Sequence, residues 1–216
     1  MGAAEDRDGA SAAMRGVTGP ERDLLRALLR EYNEEPARRA EIAARVEARF
    51  RRPLAILALD SSGFSRAVRV GGIVHYLALL ERLAQLVRPL IGRNDGRVLY
   101  TEADNIFAAF PSATAALRCA TAILGALDEA NGPLAESDQI YVSMGVGYGE
   151  VLVVDDHSLH GDEMNLTCKL GEDLAQRGEV LLTTTAHAHL EPGDWRFEPV
   201  EFSIAGLDLP TYRLVR

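Results

Sequence analysis

The sequence predicts an α+β fold, a mostly antiparallel sheet with helices on one face, built in the order βαββαβ with further strands trailing. Three observations carry this. Short apolar runs bounded by turn residues, such as 54–59 and 180–183, have the length and composition of buried strands. A longer stretch, 72–91, repeats apolar residues at steps of three and four, as an amphipathic helix does. Turn clusters such as Asn94-Asp95-Gly96 and Pro111-Ser112 fall between such segments.

Composition narrows the class. With 216 residues, 47% of them hydrophobic and 25% charged, the chain can fill one core of roughly 150 residues and carry an extension. A net charge of -9 and a pI near 5.1 exclude a general nucleic-acid or anionic-membrane surface, which needs clustered Lys and Arg. A phosphate ligand must then be held locally, by metal ions or a few donors. Cys119 and Cys168 lie in apolar helical patterns and read as small buried hydrophobes, so a reducing compartment without a disulfide framework is expected. The first residues are too polar for a signal peptide, and no apolar window approaches the roughly 18 residues of a membrane span. The expectation is a soluble cytoplasmic protein, with neither nucleic acid nor membrane as a partner.

Residues 1–18 are small, charged and aperiodic, and are expected to lack fixed structure. Residues 19–52 form a helical extension. Pro20 suits a first helical turn ahead of the stripe Leu24, Leu25, Leu28 and Leu29, and a second helix from Pro36 turns Ile42, Val46 and Phe50 one way. These helices have no place in the sheet and should cap the domain or pair subunits. The domain proper spans 53–216. Its first strand ends in Asp60, and Ser61-Ser62-Gly63-Phe64-Ser65 leaves it with N–H groups able to face an anion. The next helix carries Ile73, Tyr76, Leu80, Leu83, Val87 and Leu90, with Pro89 bending or ending it. Residues 97–101 and 106–110 are strands with Asp104 at the tip between them, and Ser112 caps a helix through Ala116, Cys119, Ala120, Ile123 and Leu127. Residues 139–146 and 151–154 read as a second hairpin about Gly147-Tyr148-Gly149-Glu150. A helix follows Gly161, residues 180–183 are a strand, and Phe197, Val200, Phe202 and Ile204 alternate in the tail before Tyr212 and Leu214. His187 and His189 should diverge on a helix and lie at the surface.

Asp60 and Asp104 stand at the ends of neighbouring strands, and two carboxylates so placed suit two divalent cations acting on a phosphate ester. A different metal site could use Asp155, Asp156, His157, His160 and Asp162, although a solvated polar connection accounts for that crowding as well. Gly145, Gly147 and Gly149 superficially match a dinucleotide fingerprint, but the spacing differs and no helix follows.

Four segments are more specific together than alone: Asp60-Ser-Ser-Gly-Phe-Ser; Thr101-Glu-Ala-Asp104-Asn-Ile-Phe-Ala-Ala-Phe; Gly145-Val-Gly-Tyr-Gly149-Glu-Val; and Gly161-Asp-Glu-Met-Asn165-Leu-Thr-Cys-Lys169-Leu. In this order they resemble the successive blocks of class III adenylate/guanylate cyclase catalytic domains, over about residues 54–215. The resemblance implies a ferredoxin-like, cyclase-type domain. It implies conversion of a purine nucleoside triphosphate, ATP in preference to GTP, to a 3′,5′-cyclic monophosphate and pyrophosphate with two Mg2+ or Mn2+ ions per site. Asp60 and Asp104 match the metal ligands, joined by the Ser61 carbonyl, and Ser62, Gly63, Phe64 and Ser65 match the phosphate cradle. Asn165 matches the ribose-orienting residue and Lys169 the transition-state arginine, four residues on and so on the same helical face. In that family the site lies between two catalytic domains. The implied state is a homodimer, or else a heterodimer, in which one subunit's metals meet the other's Asn165 and Lys169.

The sequence also departs from the pattern. Tyr100 stands where adenylate cyclases place a base-reading lysine, and Ser158 where the partner aspartate is common; both can hydrogen-bond a purine edge without offering charge. Lys169 keeps the charge of arginine but not its two-pronged geometry. Ala205 replaces a triphosphate-binding lysine. These departures leave open a second reading, a degenerate cyclase domain that binds nucleotide or a partner and regulates without turnover.

Overall fold

The computed structural model describes residues 19–62, 64–155, 158–204 and 207–216. Its N-terminal extension is two helices, α1 (Gly19–Glu34) and α2 (Arg39–Phe50), linked through a tight turn at Pro36–Arg38. Leu25 and Leu28 bury against Ile42, Val46 and Phe50, and this small core closes on Leu152 and Val154 of the sheet. Glu31 ties the pair together by accepting from Arg38 at 2.8 Å and Arg45 at 3.3 Å. The extension thus caps the sheet within one chain, while Leu24 and Leu29 of the same apolar stripe remain exposed.

α2 leads directly into β1 (Arg51–Ser62), which is followed by α3 (Phe64–Arg93), β2 (Arg97–Glu102), β3 (Asn105–Phe110) and α4 (Ala113–Asn131). Then come β4 (Tyr141–Asp155), β5 (Ser158–His160), α5 (Asp162–Cys168), β6 (Val180–Thr183), α6 (Thr184–Ala188), β7 (Arg196–Ile204) and β8 (Leu207–Val215). The eight strands form one sheet in the order β2-β3-β1-β4-β6-β8-β7, with β5 against β4. Every pairing is antiparallel except β4 with β6. β1 is central: β3 pairs with it over 55–59, whereas β4 pairs along its whole length. Pro53 therefore stands where β1 has a neighbour on one side only, and its missing N–H removes no bond from the ladder to β3.

Alternation along β1 divides the core. Ala55, Leu57 and Leu59 face α3 and α4, packing with Leu83, Val87, Ile91, Leu117 and Ile123. Leu54, Ile56 and Ala58 face the other way, with Phe107, Val151, Val153, Leu159 and Met164 of α5. Helices therefore cover both faces of the sheet, not one. Ser112 caps α4 as the sequence suggests, its Oγ accepting from the Ala115 N–H at 3.2 Å.

Two local expectations fail for identifiable reasons. Residues 141–155 are one long strand rather than a hairpin about Gly147-Tyr148-Gly149-Glu150. The glycines provide close approach and not a turn, because a Cβ on Gly147 would lie 1.8 Å from Thr167 Oγ1 and one on Gly149 3.1 Å from the Glu163 side chain. α3 begins eight residues before Gly72, which is a kink inside it at φ 78° and ψ 174°, and Pro89 neither ends it nor prevents it from reaching Arg93. Among the described residues no helix is long and apolar enough to cross a membrane.

Candidate active site

β1 and the β2–β3 hairpin deliver the first half of the site. Asp60 lies near the end of β1, opposite Ser143 of β4, and the hairpin turns through Ala103-Asp104 so that Asp104 comes beside it. Ser61 Oγ donates to Asp104 Oδ2 at 3.1 Å, which joins the two segments directly. Both aspartates are half-buried. Burial, then the negative charge of Asp104, then those of Glu172 and Asp173 push the Asp60 carboxyl up to about 6, against which stands only a bond from the Ser61 backbone. Among the described residues no cation is one of the groups acting on Asp60.

That charge arrangement suits a cation. Hard carboxylate oxygens with only negative neighbours are the donor set of Mg2+ or Mn2+, and a bound ion would relieve the repulsion. Among the described residues no three His, Cys, Asp or Glu side chains converge on one point. Two aspartates and a carbonyl would leave the remaining coordination to phosphate oxygens and water, as Mg2+ sites commonly do.

The second half of the site rides on α5. This helix lies on the glycine stripe of β4, where Glu163 anchors it: its Oε1 accepts from the Tyr148 N–H at 2.9 Å and from Thr183 Oγ1 at 2.5 Å. The Thr167 hydroxyl donates back to the Glu163 carbonyl at 2.6 Å. With its inner face fixed through Met164 and Thr167, α5 leaves Asn165 exposed. The helix then widens into a π-turn, Lys169–Leu174, in which Lys169 Nζ donates to Asp173 at 2.5 Å. Asn165 and Lys169 thus occupy one surface segment, but Lys169 is paired with Asp173 and does not act on Asp60.

Comparison with known proteins follows the same outline. No protein-family model matches the chain. Over 140 residues, 65% of this chain, it is 34% identical to "Putative adenylate cyclase 3" of Rhizobium meliloti (strain 1021), of whose length it spans 24%. Among solved structures, an adenylate/guanylate cyclase/hydrolase from Silicibacter pomeroyi matches at 25% identity and TM-score 0.64, covering 77% of this chain and 98% of that one. The catalytic core of a rhodopsin-guanylyl cyclase with converted specificity, in complex with ATPalphaS, matches at 16% identity and TM-score 0.65, covering 76% of this chain and 95% of that one. In fold and in sequence the chain is similar to adenylate/guanylate cyclase catalytic domains.

Within this cyclase-like domain the remaining expected residues are placed unevenly. Tyr100 on β2 is half-buried and stacks on Phe107, with ring centroids 4.4 Å apart, beside Cys168. Burial first, then the charges of Cys168, Glu102 and Glu172, raise its phenol. Ser62 is still paired within β1, opposite Tyr141, and α3 already begins at Phe64, so the expected five-residue loop is a tight strand-to-helix junction. Gly63 and Ala205 lie outside the described residues, as do the side chains of Phe64, Ser65 and Ser158. Of the alternative metal cluster, Asp156 and His157 lie outside the described residues, and His160 and Asp162 line an open cavity of about 420 Å3 together with Arg51 and Glu163. His187 is not a free surface residue: it stacks on Tyr212 at 3.7 Å and meets the edge of Phe197 at 4.8 Å, and burial holds its imidazole below the usual range. His189, exposed, tilts against Tyr148 at 4.5 Å.

Sequence reading missed Glu163 and Glu172. They carried no signal, since an acidic residue on a short helix is ordinarily solvated.

The raised Asp60 carboxyl has a consequence for the metal-free domain. An acid whose folded pKa, about 6, exceeds its ordinary 3.8 favours the folded state while protonated, so this contribution is present at low pH and lost as pH rises through about 6. Asp60→Asn should match the wild type in thermal stability near pH 4 and exceed it at pH 7 in the presence of a chelator. Melting curves that stay parallel across that range would contradict the charge arrangement.

Proposed function

We propose that this domain is a nucleotidyl cyclase acting in cytoplasmic signalling. It converts a purine nucleoside triphosphate, ATP in preference to GTP, to its 3′,5′-cyclic monophosphate and pyrophosphate, at a site completed by a second copy of the chain. The observation that carries this reading is the meeting of Asp60, Ser61 and Asp104, where the negative charges of Asp104, Glu172 and Asp173 bear on Asp60. Two Mg2+ or Mn2+ ions would make the ribose 3′-hydroxyl more acidic and neutralise the triphosphate. Asp60, Asp104 and the Ser61 carbonyl would hold them. The first turn of α3, which begins at Phe64, is placed where a helix N-terminus could offer its backbone N–H groups to phosphate. Asn165 of the second copy orients the ribose. Lys169 of that copy, released from Asp173, offers positive charge to the α-phosphoryl oxygens as the bond to pyrophosphate breaks.

A shared site is supported by the single chain itself, in which Lys169 is occupied by Asp173 and, among the described residues, no cation acts on Asp60. The purine substrate is supported by the nucleotide held in a structurally similar cyclase, and ATP by the similarity to the Rhizobium adenylate cyclase relative. Two observations favour the other reading, a regulator without turnover: the uncharged Tyr100 and the Lys169–Asp173 pair both weaken the second half-site. Incubation of the purified chain with Mn-ATP and, separately, Mn-GTP separates the two. Cyclic AMP should accumulate faster than cyclic GMP and well above an Asp104→Ala control. If neither nucleotide yields cyclic product above that control, the regulatory reading replaces the enzymatic one.

A further inference from the structure

The segment that carries the π-turn runs along the sheet past the metal half of the site. At Gly171 it lies directly on β1 and β4, where a Cβ would stand 2.5 Å from the Ala58 carbonyl oxygen and 2.8 Å from the Gly145 nitrogen. By Gly178 it has reached the start of β4. The Gly178 N–H donates to the Val142 carbonyl at 2.7 Å, and the Met144 N–H donates to the Glu179 carbonyl at 3.0 Å. Between these anchors Arg177 lays its guanidinium 3.0 Å above the centroid of the Tyr141 ring. Tyr141 is paired with Ser62 of β1, and Ser143, two residues along, with Asp60. Val142 and Met144 belong to the face covered by α3 and α4 and Ala58 to the face covered by α5, so alternation puts Asp60, Ser62 and Tyr141 together on the α5 face. Arg177 therefore stands on the same face as Asp60, beyond the end of its strand.

We infer that Arg177 is a substrate-binding residue, which receives the terminal phosphates of a nucleotide whose α-phosphoryl group lies at Asp60 and Asp104 of the same chain. The inference rests on the nucleotide site proposed above. One strand spacing and two residues of strand put Tyr141 roughly 8 Å from Asp60, a span that a triphosphate bridges. The cation is available for that duty. Arg177 is exposed, and of the acidic residues near it in sequence Asp173 pairs with Lys169 and Glu179 with Arg213. Among the described residues Arg177 makes no ion pair, and it is not one of the groups acting on Asp60. An exposed arginine ordinarily samples many rotamers, but the face of the Tyr141 ring holds this one without cancelling its charge. Tyr141 is itself fixed, its hydroxyl donating to Gln139 Oε1 at 2.5 Å. A guanidinium so held can grip two phosphate oxygens at once, which an ammonium cannot. It meets the terminal phosphates equally well before and after they leave, so it contributes to binding more than to the chemical step.

Arg177→Gln removes the charge and keeps most of the length. With the full chain in saturating Mn2+, calorimetric titration with α,β-methylene-ATP and with pyrophosphate should show both binding on the order of 10–100-fold more weakly, with Mn2+ binding and the melting temperature unchanged. Arg177→Lys should recover part of the loss. In turnover with Mn-ATP the KM should rise by the same factor while kcat changes far less, the signature of lost uniform binding. A pyrophosphate affinity no weaker in Arg177→Gln than in the wild type overturns the role of Arg177 and leaves the cyclase reading standing. A wild type that binds α,β-methylene-ATP through Arg177 but forms no cyclic product supports Arg177 and overturns the cyclase reading. A folded wild type that binds neither probe overturns both.

Discussion

Asp104→Ala is expected to lower cyclase turnover with Mn-ATP by on the order of 1,000-fold or more without unfolding the domain. Losing one preorganised electrostatic donor already costs about 100- to 1,000-fold in comparable sites, and a metal ligand contributes both to holding the ion and to the charge it neutralises. The fold should tolerate the change. Asp104 is half-buried at the tip of a two-residue turn, and its nearest charged neighbour repels it. Removing the carboxylate takes away the second-largest influence on Asp60, whose pKa should fall from about 6 towards the ordinary range, leaving burial as the main remaining cause. Activity and the Asp60 titration, followed by carboxyl NMR in the metal-free protein, should therefore move together while the melting temperature holds or rises. A melting temperature many degrees lower would mean that Asp104 serves the fold. By contrast, Lys169→Ala should cost nearer 100-fold, because one cation is lost from a site whose metals remain.

Gly145→Ala is expected to be the most damaging single methyl in the domain. Its Cβ would stand 2.3 Å from the Thr167 carbonyl oxygen and 2.7 Å from the Gly171 N–H nitrogen, both backbone atoms of the α5 segment and its π-turn. No rotamer can relieve that contact, so the whole segment must lift from the sheet. Overpacking of this kind costs roughly 2–4 kcal/mol, equivalent to a drop of on the order of 10 °C in a domain of this size. Turnover should fall as well, since Asn165 and Lys169 ride on the displaced segment. A melting temperature within a degree or two of the wild type would show that α5 is not pressed on the strand as described. Gly178→Ala is a useful contrast. Nothing lies within 4 Å of its Cβ, and its φ of 80° leaves backbone strain as the only cost.

How these residues fold was legible in the sequence to different depths. Periodicity located α4 and β6 closely, because their apolar residues repeat with an uninterrupted period and their ends carry a Ser112 cap or a short run of strand formers. It also brought Asp60 and Asp104 together, since three adjacent strands separated by short connections have few ways to pair. β4 was misread because glycine has two meanings in a strand, a turn and a close approach, and only the partner surface of Thr167 and Glu163 tells them apart. α3 was cut short for a similar reason: Gly72 was taken as a start, whereas the chain uses its positive φ as a bend between two helical pieces. Burial on both faces was hidden because α5 is short and covers the sheet through glycines, which leave no hydrophobic stripe to read. Within the candidate site, residues with local signatures were visible as candidates, and those defined by their partners were not. Glu163 and the Lys169–Asp173 pair matter because of what the fold sets beside them.

The claim that a second copy of this chain completes the site can be tested by mixing two inactive variants. Asp104→Ala damages the metal half and Asn165→Ala the ribose half. In a two-fold dimer, one of the two sites in each mixed pair then receives both intact halves. Equal amounts of the two purified variants, allowed to exchange subunits and assayed with Mn-ATP, should recover about one quarter of wild-type turnover, because half of the dimers are mixed and each carries one good site. Activity that stays at the level of the separate variants, although subunit exchange is verified, would contradict the shared site.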